Sequence, residues 1–159
     1  MAFPNSIYGK YGWEKVQTSD QRHKLGTRMV FDDGRAFRYV EVGAADIAAG
    51  AVVQAAAGVA NHDMDLAIAT ASSGATAVTV TLGATAATKN QYKDGYIYIN
   101  DGGTGEGHVY KIKSNPAADG SATLALTLDE EEGIVTALTN GTHLAGLAVN
   151  KDFNLSTAA

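Results

Sequence analysis

The sequence predicts an all-β protein, a small β-sandwich or barrel built of hairpins, with an extended N-terminal arm. Three observations carry this prediction. Apolar and polar residues alternate along several short runs, which is the period of a half-buried strand. Glycine, asparagine and aspartate separate these runs, and tight turns prefer these residues. No repeat of fixed length runs through the chain, which disfavours a solenoid or a propeller.

Residue patterns divide the chain into three segments. Residues 1–27 fit neither the helical nor the strand period and form the predicted arm. A β-rich body is predicted over residues 28–149, and the small, polar residues 150–159 are expected to form a loose tail. At 159 residues the chain suits one domain with its own hydrophobic core.

The body begins with a predicted hairpin. Strands over residues 28–31 and 35–42 flank Asp32-Asp33-Gly34, whose glycine suits the positive φ of a bulged turn. The alanine-rich segment that follows predicts a single helical turn at residues 45–49 and then a short strand at Val52-Val53.

Aliphatic residues alternate with threonine or alanine over residues 76–82 and 121–128. The faces expected to be buried carry Val78, Val80, Leu82, Leu124, Leu126 and Leu128. A shorter run at residues 65–70 alternates in the same way, and a last strand is predicted over residues 142–149.

Two β-prone runs, residues 96–100 and 108–113, flank a glycine-rich loop and predict another hairpin. The loop from Asn100 to Gly107 offers the carboxylates of Asp101 and Glu106, which are hard oxygen ligands of the kind Ca²⁺ takes. Their spacing does not match an EF-hand, and no Gly-Lys-Ser/Thr follows as in a phosphate-binding loop. We therefore predict a structural turn without metal or cofactor, with calcium as the alternative.

No residue pattern predicts catalysis. The chain has no cysteine, which excludes disulfides, thiol chemistry and cysteine-containing zinc sites. The four histidines lie in separate segments without metal-ligand spacing, and no serine has the nucleophile-elbow pattern. A polysaccharide hydrolase would need two carboxylates facing each other across a groove, and Asp101 and Glu106 would each need such a partner. We expect that the protein is not an enzyme.

Charge bears on the partners. Seventeen acidic residues against twelve basic ones give a net charge of −5, which disfavours nucleic acid as a partner. No apolar run approaches the roughly 20 residues of a membrane-spanning helix, so we expect no membrane partner. Seven of the basic residues lie in the first quarter of the chain, and residues 129–132 form an acidic run. Each of these charge clusters can be a solvated face. Alternatively, the basic residues form an electropositive arm that docks on an acidic neighbour, such as a second copy.

The predicted arm carries aromatic side chains on a glycine-rich stretch, and such side chains pack against a surface. That surface belongs either to the same chain or to another subunit. The arm residues expected to contact other chains are Tyr8, Tyr11, Trp13, Lys15, Arg22 and Lys24.

Three segments of this sequence resemble the capsid decoration (cement) proteins of tailed bacteriophages. Leu25–Val42 leads from a polar stretch through a strand and an Asp-Gly turn to an aromatic strand. Ala44–Val53 holds the alanine-rich Ala-Gly-x-Val-Val pattern, and Gly95–Ile112 holds the glycine-rich hairpin. The resemblance implies a structural virion protein that binds the major capsid protein on the outer surface of an icosahedral shell and stabilises it. It also implies a homotrimer at three-fold and quasi-three-fold positions, and no catalytic residues.

Composition agrees with association. Hydrophobic residues make up 45% of the chain but aromatic residues only 8%, so much of the apolar content is alanine, which buries little area. Association between copies is one way to recover stability. The alternative function is a phage tail or fibre module or an adhesin that binds a host glycan. Its candidate residues are Tyr92, Tyr96, Tyr98, Asp94 and Asp101.

Overall fold

The computed structural model describes residues 6–129 and 133–158. The protein is nearly all β, with 33% strand and 2% helix, which confirms the predicted fold class. The strands are β1 (Ser6–Tyr8), β2 (Arg28–Val30), β3 (Ala36–Arg38), β4 (Val53–Gln54), β5 (Leu66–Ala67), β6 (Ala77–Thr81), β7 (Tyr96–Asp101), β8 (Val109–Ser114), β9 (Thr123–Leu128), β10 (Leu144–Ala148) and β11 (Ser156–Thr157). One 3₁₀ turn spans Trp13–Lys15. Within the described residues, no helix has the length and apolar character needed to span a membrane.

The chain folds into two compact units. The N-terminal unit takes in the chain up to Ala56 together with the segment from Lys151, and the barrel unit spans Ala57–Asn150. Residues 28–56, which the sequence assigned to the body, therefore share a unit with the predicted arm.

The barrel unit is a six-stranded antiparallel sheet in the order β5-β10-β7-β8-β9-β6. Its two edge strands approach each other, because Ile68, directly after β5, forms an antiparallel bridge with Val80 of β6. Beside that bridge, the Ala69 N–H donates to the Thr79 carbonyl at 2.8 Å. The sheet is thereby nearly closed into a barrel, which covers strand edges that would otherwise be open to other chains.

Strand alternation places the core inside this barrel. The residues predicted to face inward on β6 and β9, and Leu82 after β6, are all buried, as the sequence predicted. The predicted hairpin β7–β8 adds Ile97, Ile99, Tyr110 and Ile112 to the same cluster. The interior is filled by side chains, so the outer surface is left for contact with other molecules.

The N-terminal unit is built on a three-stranded sheet in the order β1-β2-β3. The predicted hairpin β2–β3 is confirmed, with the Gly34 N–H donating to the Phe31 carbonyl at 2.9 Å. Gly34 has a φ of +85°, which is the left-handed conformation that the bulged turn requires. β1 is an edge strand of this sheet and pairs in parallel with β2.

The predicted helical turn at residues 45–49 is wrong. No helix is present over these residues, and a β-turn follows over residues 48–51, with the Ala51 N–H donating to the Ala48 carbonyl at 3.1 Å. Gly50 takes a φ of +80°, which lies outside helical geometry, so no helix could continue past Ala49. The strand predicted just after it is present as β4.

The segment predicted as a loose tail is tied to the N-terminal unit by backbone hydrogen bonds. β11 pairs antiparallel with β4, and the Leu155 N–H donates to the Glu41 carbonyl at 2.9 Å. The Leu155 side chain is buried.

Candidate functional site

The first described residues dock on their own chain through the backbone. Ser6 lies opposite Arg28 and Tyr8 opposite Val30 in the parallel pair, and the Gly9 N–H donates to the Val30 carbonyl at 2.9 Å. Gly9 is required by close approach, because a Cβ there would lie 2.6 Å from the Met29 side chain. The arm was expected to pack either on its own chain or on another subunit. The backbone of β1 packs on its own chain.

The Arg35 guanidinium holds the next part of the segment against the β2–β3 hairpin. The Tyr11 ring stacks on Phe31 with centroids 5.5 Å apart and an interplanar angle of 15°. Arg35 lies 5.2 to 5.9 Å from the ring centroids of Tyr11, Phe31 and Phe37, within cation–π range. Its Nε donates to the Asp33 carboxylate at 2.7 Å. The hydrogen bond from the Arg35 backbone N–H, followed by that from its side chain, lowers the pKa of Asp33.

Tyr39 provides a second attachment, further along the arm. Its hydroxyl accepts a hydrogen bond from the Arg22 N–H at 3.1 Å, and its ring makes an edge contact with His23 at 5.5 Å. The backbone between Gly9 and His23 is therefore attached at two places on the β2–β3 hairpin and the residue that follows it.

These attachments leave the large apolar side chains of the arm in solvent. Tyr8 is 85% exposed, Tyr11 68%, Trp13 50% and Val16 61%. We call these four residues the arm surface. Exposed large apolar residues gathered on one short segment mark an interaction site more often than scattered ones do.

The three predicted cationic contacts are also exposed. Lys15 lies in the 3₁₀ turn between Trp13 and Val16, so it borders the arm surface along the chain. Arg22 and Lys24 lie in the neighbouring segment that Tyr39 anchors. Four residues that hold the arm were not among the predicted contacts: Phe31, Arg35, Phe37 and Tyr39. The bulged-turn pattern could have predicted one of these contacts, because a three-residue loop places Phe31 directly opposite Arg35.

The glycine-rich loop joins β7 to β8 as a hairpin connection, as predicted. The Ile99 N–H donates to the His108 carbonyl and the Gly107 N–H to the Ile99 carbonyl, both at 2.9 Å. The Asp101 carboxylate accepts the Gly102 N–H at 2.7 Å. His143 also contacts the loop, with its Nε2 2.9 Å from the Thr104 carbonyl. No group of three or more histidine or acidic side chains in the described part of the chain is arranged to hold a metal ion.

Two buried histidines of the barrel unit serve the fold. His62 is fully buried, with Nδ1 2.5 Å from the Tyr92 hydroxyl and Nε2 2.7 Å from the Thr85 carbonyl. Nε2 can only donate to a carbonyl, so in the neutral imidazole ring Nδ1 accepts from Tyr92. His143 Nδ1 likewise accepts the Thr139 N–H at 3.0 Å.

Two of the candidate residues for the alternative glycan site lie in the protein interior. Tyr92 and Asp94 are both buried, so neither side chain faces solvent. Tyr96 is exposed at the start of β7, whereas Asp101 is exposed at its far end. At about 3.3 Å per residue, these two lie more than 15 Å apart along an extended strand. Tyr98 is half-buried, and its hydroxyl donates to the Asp63 carbonyl. The structure therefore does not gather the five candidates on one exposed surface.

Comparison with protein-family models, with curated protein sequences and with solved structures finds no match to this chain. The fold and the exposed residues define an all-β protein with a nearly closed barrel unit and an aromatic surface on its N-terminal unit.

Proposed function

We propose that this chain is a structural virion protein, a capsid decoration protein that binds the outer surface of an icosahedral bacteriophage shell and stabilises it. The major capsid protein is its partner, and the chain acts as a homotrimer. The observation that carries the proposal is the arm surface, in which three aromatic side chains are 50 to 85% exposed on a segment attached to its own chain.

Binding through this surface is physically favourable. The arm backbone is already held by the pairing of β1 with β2 and by the Arg35 cluster. Binding therefore does not have to include the entropy cost of ordering this backbone. Completing the burial of one large apolar side chain contributes about 2 kcal/mol, and aromatic side chains are favoured at the centres of interfaces. A decoration protein needs such an adhesive surface beside a stable body, and the barrel unit supplies the body.

Binding to empty capsids tests the proposal. Purified wild-type protein should bind saturably to capsids that lack it, measured by co-sedimentation. The double variant Tyr8→Ser/Trp13→Ser should bind at least about tenfold more weakly, because two anchors are lost. Met64→Ser/Val135→Ser is the matched control, since these side chains are 60% and 62% exposed on the barrel unit. Equal capsid binding by the wild type and the arm variant would contradict the proposal.

Light scattering coupled to gel filtration tests the homotrimer. The expected mass is three times the 16.4 kDa of one chain. A mass of one chain at every concentration would count against the trimer. Attachment to tails rather than to capsids would favour the alternative tail or fibre module.

A further inference from the structure

The three-stranded sheet of the N-terminal unit has an open strand at each edge. Within the residues that the structure describes, β1 and β3 each pair with β2 alone, whereas the barrel sheet covers its edges by near-closure. Natural proteins usually guard an open edge with proline, lysine or a bulge. Ser6–Tyr8 and Ala36–Arg38 contain neither proline nor lysine, and their pairing shows no register shift. The Nη1 of Arg38 donates to the Gly26 carbonyl at 3.0 Å, which holds this guanidinium on the β2 side of its strand.

The outward backbone groups of β3 belong to Ala36 and Arg38. The Tyr39 N–H donates to the Thr27 carbonyl at 2.9 Å, which makes these two residues a hydrogen-bonded pair of the β2–β3 ladder. Hydrogen-bonded and non-hydrogen-bonded pairs alternate in an antiparallel ladder. The next pair, Arg28 with Arg38, is therefore non-hydrogen-bonded, and so is the pair that Ala36 makes two residues further on. The N–H and C=O groups of Ala36 and Arg38 thus point away from β2.

The outward backbone groups of β1 belong to Ser6 and Tyr8. The Gly9 N–H donates to β2, at the Val30 carbonyl, over 2.9 Å. Successive N–H groups of a strand point to opposite sides, so those of Tyr8 and Ser6 alternate with the N–H groups that face β2. Ser6 and Tyr8 therefore present their N–H and C=O groups at the open edge. The four residues with outward groups are all exposed: Ser6, Tyr8, Ala36 and Arg38.

We propose that β1 of one copy pairs with β3 of a second copy, so that the three-stranded sheet continues from copy to copy. A second copy is the occupant because the two edges match each other: each offers two N–H and two C=O groups over three residues. The two edges differ, so the contact is heterologous, and heterologous contacts close into a ring when the rotation between copies allows it. A ring of three rests on the proposed function, which takes the chain as a homotrimer.

One register satisfies both edges. β1 is parallel to β2 and β3 is antiparallel to it, so a ring whose axis follows the strands brings β1 and β3 of neighbouring copies together antiparallel. Outward residues then lie opposite outward residues, and each such pair exchanges both of its backbone hydrogen bonds. The half-buried residues between them form an aliphatic–aromatic pair on the other face of the sheet. The pairs are Ser6–Arg38, Ile7–Phe37 and Tyr8–Ala36.

Residue-resolved amide exchange tests the pairing in the wild-type protein. The outward N–H groups of Ala36 and Arg38 should exchange as slowly as the N–H of Phe37, because the neighbouring copy bonds them. Phe37 is the internal control, since its N–H faces β2 within one chain. Rapid exchange of Ala36 and Arg38 beside slow exchange of Phe37 would overturn the inference.

Proline at the edge removes one outward donor and leaves the β2–β3 ladder intact, since edge strands accept proline where the N–H faces outward. Ala36→Pro should weaken self-association at least about tenfold in sedimentation velocity, because the bond is lost and the ring obstructs the neighbouring strand. Ala36→Ser is the matched control, which keeps the N–H and should associate as the wild type does. Circular dichroism melts of both variants establish that the fold is kept. Normal association of a folded Ala36→Pro variant would contradict the pairing.

Disulfide trapping tests the register directly, because the chain has no cysteine of its own. Oxidised Ser6→Cys/Arg38→Cys should give covalent trimers on a non-reducing gel, since a hydrogen-bonded pair places its Cα atoms about 5.5 Å apart, within disulfide range. Within one chain these positions are two strand spacings apart, about 9–10 Å, which is too far for a disulfide. Each single variant is a control. Covalent dimers from either single variant would mean that an edge pairs with itself, and this result, or a double variant without covalent oligomers, would overturn the inference.

Capsid co-sedimentation separates this inference from the proposed function. A wild-type protein that binds capsids while Ala36→Pro still self-associates would overturn the edge pairing and leave the proposed function standing. Covalent trimers of the double variant, together with a wild type that does not bind capsids, would support the edge pairing and contradict the proposed function.

Discussion

Ile68 pairs with Val80 across the gap between the two edge strands of the barrel sheet, and both side chains are fully buried. The two residues belong to the strand ends that close the barrel, since one follows β5 and the other lies within β6. Closure therefore depends on side-chain packing at this bridge as well as on the backbone hydrogen bond beside it.

Ile68→Ala should lower the free energy of unfolding by roughly 2–5 kcal/mol, because it leaves a cavity where the sheet closes. Chemical denaturation measures this loss. Val135→Ala, at an exposed position of the same unit, should change the free energy of unfolding by less than about 0.5 kcal/mol. Equal effects of the two substitutions would contradict the closure at Ile68.

The sequence predicted those strands whose side chains alternate between two environments. β6 and β9 carry aliphatic residues on one face and small or polar residues on the other, which is a signal that a single strand contains by itself. The hairpins β2–β3 and β7–β8 were also predictable, because turn residues lie between adjacent strands.

Pairings between distant short segments left no such signal. β1 and β11 contain three and two residues, too few to show a period. β1 pairs with β2 across the long segment of residues 9–27, and β11 pairs with the distant strand β4. The six predicted contact residues could be chosen by residue type, but the Arg28–Arg38 pair follows from the register of two strands. Burial of His62 and Asp94 depends on long-range partners in the same way.

Tyr92 makes the fold sensitive to alkali. Burial raises the pKa of its phenol above the ordinary value of 10.0, because the interior penalises the charged form. Above pH 10 the unfolded chain loses this proton while the folded chain keeps it, so the free energy of unfolding should fall as pH rises. The slope for one such group is about 1.4 kcal/mol per pH unit. Denaturation between pH 9 and 11.5 measures it.

Tyr92→Phe should remove this part of the alkaline slope. At neutral pH the variant should be less stable by about 1–3 kcal/mol, because the buried Nδ1 of His62 loses its donor. Tyr96→Phe, at an exposed position, should keep both the slope and the neutral stability. An unchanged alkaline slope in Tyr92→Phe would refute the assignment to this phenol.

Millimolar Ca²⁺ should not raise the melting temperature. The Asp101 carboxylate is engaged with the Gly102 N–H, and the loop already has its turn geometry from backbone hydrogen bonds. A bound ion would stabilise the fold by mass action. A rise of several degrees with Ca²⁺ that disappears in Asp101→Ala would establish the calcium alternative.

Arg35→Gln should loosen the arm without unfolding the barrel unit. The substitution removes the cation that Tyr11, Phe31 and Phe37 share and the partner of Asp33. Amide exchange of residues 7–13 should become faster, while exchange of β7 and β9 stays as in the wild type. Arg22→Gln is the matched control, since only its backbone contacts Tyr39. Unchanged exchange in the arm of Arg35→Gln would show that β1 pairing alone holds it.

A density map of the virion, at a resolution that separates β-strands, tests the central claim most directly. Barrel units should lie on the outer surface of the shell, in groups of three, with Tyr8, Tyr11 and Trp13 at the contact with the major capsid protein. A map in which this chain is missing from the shell, or lies on the tail, would contradict the account.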